Sequence, residues 1–528
     1  MTEPHRTSFD EMPYLGQAYP QTHPDRLAVM AKLFGMAPAP LTGCRVLELG
    51  CAGGANLIPM AEQMPDASFV GLDLSSRQVA DGQAVIAELG LPNIEMRQFG
   101  LVDVDEALGK FDYIIAHGVY SWVPREVQDK VLAICNENLA PNGVAYVSYN
   151  TYPGWSMRGM VRDMMLYHAR QFGEMSLQVQ QARALLDFMA ENVPTENNPF
   201  GILLKQELDG RRNEPDWYLA HEHLVDVNEP LYFHQFAERA AGHGLQYLGE
   251  AEFHTMLASN FPPQVTETLR KIAPDIIRLE QYMDFLRNRV FRQTLLVHQG
   301  MPLNRKLEWR TMEGFHFASA ARPVAGTPDL RSAAVEQFRA PHGPTLSTPN
   351  SIVKAAMMIL AERWPQAISF ADLRAAARSR VDNNLLSVPY AATAALDAEV
   401  LGTDLLQCLA VGVVELRMRS PRFAREAGER PKASALARLQ AEKGSPVTNL
   451  RHETVIPDEF NRQLLRHLDG RRDRSALLEV LAELVSRDVL AVQRQGQPVQ
   501  ETAAVRAILS EALDENLGKL AQAALLVQ

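Results

Sequence analysis

The residues best suited to chemistry crowd into one short run, Val46-Leu47-Glu48-Leu49-Gly50-Cys51-Ala52-Gly53-Gly54-Ala55-Asn56. A buried-strand pattern enters a glycine-rich turn, which opens a helix. Glycines let a backbone approach a ligand closely and adopt dihedrals other residues avoid. Asp73 closes the next strand, 19 residues past Gly54. A carboxylate there can accept both ribose hydroxyls of an adenosine cofactor. Two cofactors compete. The dinucleotide spacing G-x-G-x-x-G becomes Gly50-x-Ala52-x-x-Ala55, a poor match. The spacing E-x-G-x-x-x-G, used by enzymes of S-adenosyl-L-methionine, is met by Glu48, Gly50 and Gly54, with Ala52 where a middle glycine is frequent. The plain alternative is a glycine turn in some other α/β sheet. Against it, the loop, the acid and a fourth-strand run, Phe111-Asp112-Tyr113-Ile114-Ile115, occur in order.

Methyl transfer from a sulfonium is an in-line displacement, so the protein must align the acceptor and exclude water. The groups nearest the methyl should follow the fourth strand, at the carboxyl edge where ligands bind. That points to His117, Gly118, Tyr120, Ser121 and Trp122, with Tyr149, Asn150, Tyr152 and Trp155 on the adjacent edge. Aromatic rings suit a cation, either the sulfonium or a substrate ammonium. Of these, His117, Tyr120 and Trp122 are the candidate catalytic residues: Tyr120 or His117 would orient or accept the proton of an amine. The rival reading is that these rings only pack the loop. The candidate cofactor contacts are Tyr14, Glu48, Gly50, Cys51, Ala52, Gly54, Asn56, Asp73, Leu74, Leu101, His117 and Gly118. Tyr14 and His23, in the arm before the first strand, would act as lid contacts.

These residues need a sheet to hold them. CRVLELG (44–50), SFVGLDL (68–74), IEMRQFG (94–100), FDYIIAHG (111–118) and GVAYVSYN (143–150) read as strands. NLIPMAEQM, a run ending on Gly90, and REVQDKVLAICNENL read as the helices between them, with a turn at Pro141-Asn142-Gly143. Alternation at this spacing means a parallel, doubly wound α/β sheet, Rossmann-like in class. Ahead of it, a helix spans Pro24 to Phe34 with Thr22 as cap. Residues 1–40 form a lid arm, 41–155 the core, 156–314 a helical regulatory or dimerisation region, and 315–350 an irregular connector. Within the third of these, 274–299 reads as one long helix, either a homodimer surface or an interior strut. Helix–turn–helix and strand signals make 351–445 a winged-helix-like domain, with 425–445 an exposed charged connector, and 446–528 a C-terminal helical region.

The chain has 528 residues, 46% apolar and 22% charged, enough for three or four soluble domains. Its net charge of −11 disfavours a nucleic-acid surface and an anionic membrane partner. Cys44, Cys51, Cys135 and Cys408 form no C-x-x-C pair, which fits a reducing cytoplasm and gives no metal motif. His221-Glu222-His223 is no H-E-x-x-H, so a zinc site is not expected. Neither a signal peptide nor a membrane span is visible, and the expected localisation is cytoplasmic.

Several stretches carry a resemblance. THPDRLAVMAKLFG, LELGCAGGANLIPMA, VGLDLS, FDYIIAHGVYSWVP, YVSYNTYPGW, AHEHLVDVNEPLYFHQF (220–236) and EQYMDFLRNRVFRQTLL (280–296) look like the bacterial class I methyltransferases that carry a methyltransferase regulatory domain. That family includes protein-lysine methyltransferases acting on bacterial outer-membrane proteins. The resemblance implies S-adenosyl-L-methionine as cofactor and a protein lysine as acceptor, on a bacterial surface or outer-membrane protein before its export. Many members place an acid after the third strand to meet adenine. Here Leu101 follows Phe99-Gly100, and the acid is absent or moved to Asp103. A small-molecule acceptor is the second reading, and a non-catalytic cofactor-sensing regulator the third.

Overall fold

The computed structural model describes residues 12, 14, 16–341, 343–382, 390–421, 423–444, 446–494, 497–499 and 501–527. They form two compact units. One holds the described residues up to Gly16 together with Met30–Leu303; the other holds Gln17–Val29 and the chain from Asn304 onward.

The first helix, α1, spans Pro24–Leu33. Its start is capped not by Thr22 but by His23, whose Nδ1 accepts the Asp25 N–H at 3.1 Å, while the Thr22 hydroxyl turns back to the Tyr19 carbonyl. The catalytic sheet then runs β1 (Arg45–Leu49), α2 (Leu57–Gln63), β2 (Ser68–Asp73), α3 (Ser76–Leu89), β3 (Ile94–Gln98), β4 (Phe111–Ala116), α4 (Arg125–Glu137) and β5 (Leu139–Asn150). Ser75 caps α3 by accepting the Gln78 N–H, and Gly90 closes it in the left-handed conformation. The Pro141-Asn142-Gly143 sequence does not separate the helix from the strand. Those residues stay within β5 as an irregularity in its pairing with β4, where Phe111 faces Leu139 but Tyr113 faces Val144. The turn-forming residues bulge out of the ladder there, and pairing resumes at Val144.

Four helices follow: α5 (Gly154–Ala169), α6 (Met175–Asn192), α7 (Pro199–Arg211) and α8 (Asp216–His223). They close on their own apolar cluster around Met165, Val179, Leu204 and Leu219. Next come α9 (Phe233–Gly242), β6 (Leu245–Glu250), α10 (Pro263–Ile272), α11 (Ile276–Arg287) and β7 (Phe291–His298). The long helix expected over 274–299 is therefore two elements. Asn288 takes the left-handed conformation at the end of α11, and the residues after it run as strand. The whole sheet has seven strands in the order β3-β2-β1-β4-β5-β7-β6. The first five pair in parallel, while β7 is antiparallel to both β5 and β6.

A buried charge cluster ties the last two strands to α11. Arg292 is fully buried and reaches Glu250 at 2.8 Å, Asp284 at 2.8 Å and Glu280 at 3.0 Å. Its guanidinium also lies 3.8 Å above the Phe233 ring. Desolvating such charges is tolerable only because each has partners.

In the second unit, β8 (His316–Ala318) lies between two short strands, Ile368–Ser369 and Glu415–Arg417. Helices Ser351–Arg363, Phe370–Asp382 and Tyr390–Ala410 accompany them, with Ser369 capping the second by accepting the Asp372 N–H. The segment 315–350 is not featureless, since it adds a three-stranded sheet between Arg322 and Thr348. Residues 425–445 are not merely an exposed connector either. Helix Ala435–Lys443 buries Leu436, Ala437, Leu439 and Ala441. No described helix is long and apolar enough to cross a membrane.

Candidate active site

The glycine loop leaves β1 and is pinned at once to β2: the N–H groups of Gly50 and Cys51 both donate to the Leu72 carbonyl, at 2.8 and 3.0 Å. Gly50 has φ +71°, and a Cβ built there would meet Val119 Cγ2 at 2.5 Å. The loop after β4 thus closes against the glycine loop, and only glycine fits. Ala52 also sits at positive φ, +47°. It tolerates this dihedral because its N–H donates to Asp73 Oδ2 at 2.8 Å. The other oxygen of Asp73 accepts the Ser75 N–H at 2.9 Å. Asp73 is therefore oriented from both sides at the end of β2.

Glu48 lies beneath the loop, 4% exposed, and Oε1 accepts from Asn56 Nδ2 at 2.7 Å. Burial lifts its carboxyl to about 8, so it holds a proton at neutral pH. Its second oxygen is buried with no hydrogen-bond partner among the described residues. In the protonated acid that oxygen carries a hydroxyl hydrogen with no acceptor, and a ligand ammonium that draws the proton off would then donate to the bared carboxylate. At the ends of β2 and β3, Leu74, Phe99 and Val102 are exposed apolar side chains. Leu101 begins a short turn beside them, and Asp103 folds toward Gly100, where an added Cβ would lie 2.8 Å from its carboxylate. Exposed apolar groups beside an oriented carboxylate suit a nucleoside, with the base on the apolar side chains and the ribose on Asp73. The cradle at Gly50, the orphan oxygen of Glu48 and this apolar edge all fit S-adenosylmethionine.

Past β4, His117 is half-buried, with Nδ1 2.8 Å from the Tyr146 hydroxyl. Burial pushes its ring down to about 3, which leaves it neutral. Gly118 turns at φ +68° and donates its N–H to Ser148 Oγ at 2.8 Å. Trp122 is half-buried and meets Trp155 edge-on, ring centroids 6.0 Å apart. Tyr120 is a different case. It is fully buried, edge-on to Phe236 at 5.2 Å, and belongs to the core under α9. Tyr149 likewise stacks on Phe236 at 4.1 Å and bonds Thr294. Neither ring faces the acceptor edge, because alternation along the strand and the 3-10 turn of residues 120–122 send them inward. Tyr152 packs on Tyr232 instead.

The chain after α8 returns to this edge. The Asn150 N–H donates to Ser121 Oγ at 2.9 Å, the Glu229 N–H donates to the Ser121 carbonyl at 2.8 Å, and Asn150 Nδ2 donates to Asn228 Oδ1 at 3.0 Å. The sequence pattern singled out neither Asn228 nor Tyr146. The available signal was the polar alternation Tyr146, Ser148, Asn150 in an otherwise apolar strand.

Of the two lid candidates, Tyr14 stays with this unit: its ring is edge-on to Trp217 at 4.9 Å, and His221 bonds the Met12 carbonyl. Gly16 passes the glycine loop closely, since a Cβ on it would lie 3.2 Å from Ala55 Cβ. His23 does not join it. It is buried in the second unit against His452, ring centroids 5.4 Å apart. His221 and His223 are both buried. Among the described residues, no group of three or more His, Cys, Asp or Glu side chains is placed to hold a metal.

Fold and site together define a class I methyltransferase dependent on S-adenosylmethionine, and three family patterns agree with that order of parts. A methyltransferase domain matches residues 47–145, a predicted methyltransferase regulatory domain 215–298, and the C-terminal winged helix domain of PKMT 429–525. The winged helix thus falls later than the 351–445 segment that the helix–strand pattern suggested. An uncharacterized protein of Rickettsia prowazekii, RP789, is 36% identical over 98% of this chain and 93% of its own length. The structure of PKMT2 from Rickettsia typhi is 32% identical and covers 98% of this chain and 100% of that one, with a TM-score of 0.86. A second structure of PKMT2, in complex with AdoHcy, gives 0.87. The chain belongs to this family of methyltransferases, which join a catalytic domain, a regulatory domain and a winged helix.

Proposed function

We propose that the chain transfers methyl groups to lysine ε-amines of a protein substrate. The observation that carries this reading is the likeness to PKMT2 along the full length of both chains, so that every part of that protein has a counterpart here. The bulk outside the catalytic sheet suits a large acceptor, and the net charge of −11 suits a cationic one. S-adenosylmethionine, when bound, supplies an electrophilic methyl group. Asp73 would hold the ribose hydroxyls, Glu48 the ammonium, and Leu74, Phe99 and Leu101 the base. Gly50, Cys51, Ala52, Gly54 and Asn56 shape the loop, with Gly118 beside it and Tyr14 in the arm that passes over it. His117 and Trp122 border the acceptor. A lysine ammonium with an ordinary pKa of ~10.4 must lose a proton before it can react. Half-buried rings lower its solvation and favour the neutral amine.

The test is transfer of labelled methyl from S-adenosylmethionine into a fractionated bacterial lysate by the full-length protein. Base-stable label recovered as methyl-lysine supports the reading. Label confined to small molecules, or cofactor binding without any transfer, refutes it.

A further inference from the structure

Alternation along β5 places Tyr146, Ser148 and Asn150 on one face of the strand. All three are buried, although they sit inside a sheet whose other positions are mostly apolar. Buried polar groups persist where each has a partner. Each of these has one, and each partner belongs to the acceptor edge. Tyr146 meets the His117 ring, Ser148 accepts the Gly118 N–H, and Asn150 donates to Asn228. The opposite face of the strand is different, with Tyr149 stacked in the core. The polar face therefore aims the chain segments that leave β4 and α8.

Within this set the contact to His117 is the most specific. The hydroxyl lies 2.8 Å from Nδ1, and the two rings are tilted by 31° with centroids 5.7 Å apart. Phe291, from β7, stands edge-on to the same imidazole at 6.0 Å. The ring is thus held by a hydrogen bond on one nitrogen and by aromatic contacts with two neighbouring side chains. The two imidazole nitrogens are not equivalent, and a phenol donates more readily than it accepts, so an O–H···Nδ1 bond favours the proton on Nε2.

We propose that Tyr146 is a positioning residue for methyl transfer: its hydroxyl holds the His117 imidazole in one orientation and one tautomer at the acceptor edge. The inference rests on the placement of His117 at that edge. Tyr146 itself lies within β5, one strand over, and touches the reaction only through the ring. Nothing in this role depends on which acceptor the enzyme uses.

The test uses the full-length protein with nitrogen-15-labelled histidine, and His117→Asn identifies the His117 signals. The wild type should show His117 as a single neutral tautomer. In Tyr146→Phe, which removes only the hydroxyl, those signals should move to an exchanging or opposite tautomer. Turnover should fall about tenfold, with unchanged cofactor affinity. Wild-type nitrogen signals in Tyr146→Phe overturn the proposal. So does a loss of turnover that tracks lost cofactor affinity and a lower Tm at every pH, since that describes a structural role. A double-mutant cycle gives a second reading. If Tyr146 acts through His117, adding Tyr146→Phe to His117→Asn costs no further turnover, and additive losses overturn the idea. The nitrogen signals need no acceptor, so they judge Tyr146 even if lysine proves to be the wrong substrate.

Discussion

Glu48→Gln should make the protein more stable and a worse binder of its cofactor. The ordinary value of this carboxyl is 4.5, and burial raises it to about 8. In the unfolded chain it ionises at neutral pH, whereas the folded chain must keep it protonated. At about 1.36 kcal/mol per pKa unit, that difference costs the folded state about 3 kcal/mol at pH 7. The sign follows from the raised folded-state value. The cost is absent below pH 4.5, grows as pH rises, and levels off near 5 kcal/mol above pH 8. Glutamine cannot ionise in either state and keeps an oxygen for the Asn56 amide, so the penalty disappears. Denaturant unfolding from pH 4 to 9 should show the variant gaining about 3 kcal/mol over wild type at pH 7 and nothing at pH 4. Binding should move the other way. A ligand ammonium beside Glu48 draws its proton off, so wild-type affinity for S-adenosylmethionine should rise with pH up to about 8. Calorimetry in buffers of different ionisation enthalpy should then register proton release in the wild type and none in the variant. The lost charge-assisted bond is worth about 1.5–3 kcal/mol, or roughly ten- to a hundredfold in Kd. Equal stability at every pH, or binding without proton release in the wild type, would refute the reasoning.

Asp73→Ala should weaken S-adenosylmethionine binding about a hundredfold by calorimetry, because it removes the ribose acceptor and frees the Ala52 N–H at once. Tyr120→Phe should leave kcat within about twofold of wild type, as expected for a ring packed under Phe236. Trp122→Ala should instead lower kcat/KM for the acceptor about tenfold or more in steady-state assays, with cofactor affinity unchanged. Arg292→Met should destabilise the first unit by about 3–5 kcal/mol in denaturant unfolding, because Glu280 would be left buried without a cation and Glu250 and Asp284 with Arg289 alone.

The parallel half of the fold was readable because its signals are local. Gly50, Asp73 and the closing Gly90 each state their conformation within a few residues. The antiparallel half was not. FRQTLLVH has apolar residues that satisfy a helix as well as a strand, and only pairing with β5 and β6 decides between them. The left-handed Asn288 was the one local hint that the helix stops. In the site, the loop residues were legible by spacing, whereas Tyr120 and Tyr149 were not. A tyrosine near a catalytic edge looks the same in sequence whether it faces the ligand or the core. The winged-helix signal was ambiguous for a similar reason: 351–417 also folds as helices with short strands, and strand order is a tertiary property.

The place of β7 between β5 and β6 has a consequence for biosynthesis. The inner edge strand β5 is finished at Asn150, but the strand that covers it ends at His298. At about 5–20 residues per second, a ribosome leaves that edge bare for roughly 7–30 seconds. An uncovered edge rich in Val and Tyr is a template for pairing with other chains. Helices α5 to α8 are made in that interval and are available to shield it. A fragment cut near residue 155, which looks like a minimal enzyme on paper, would keep the edge bare permanently and should be recovered as aggregate.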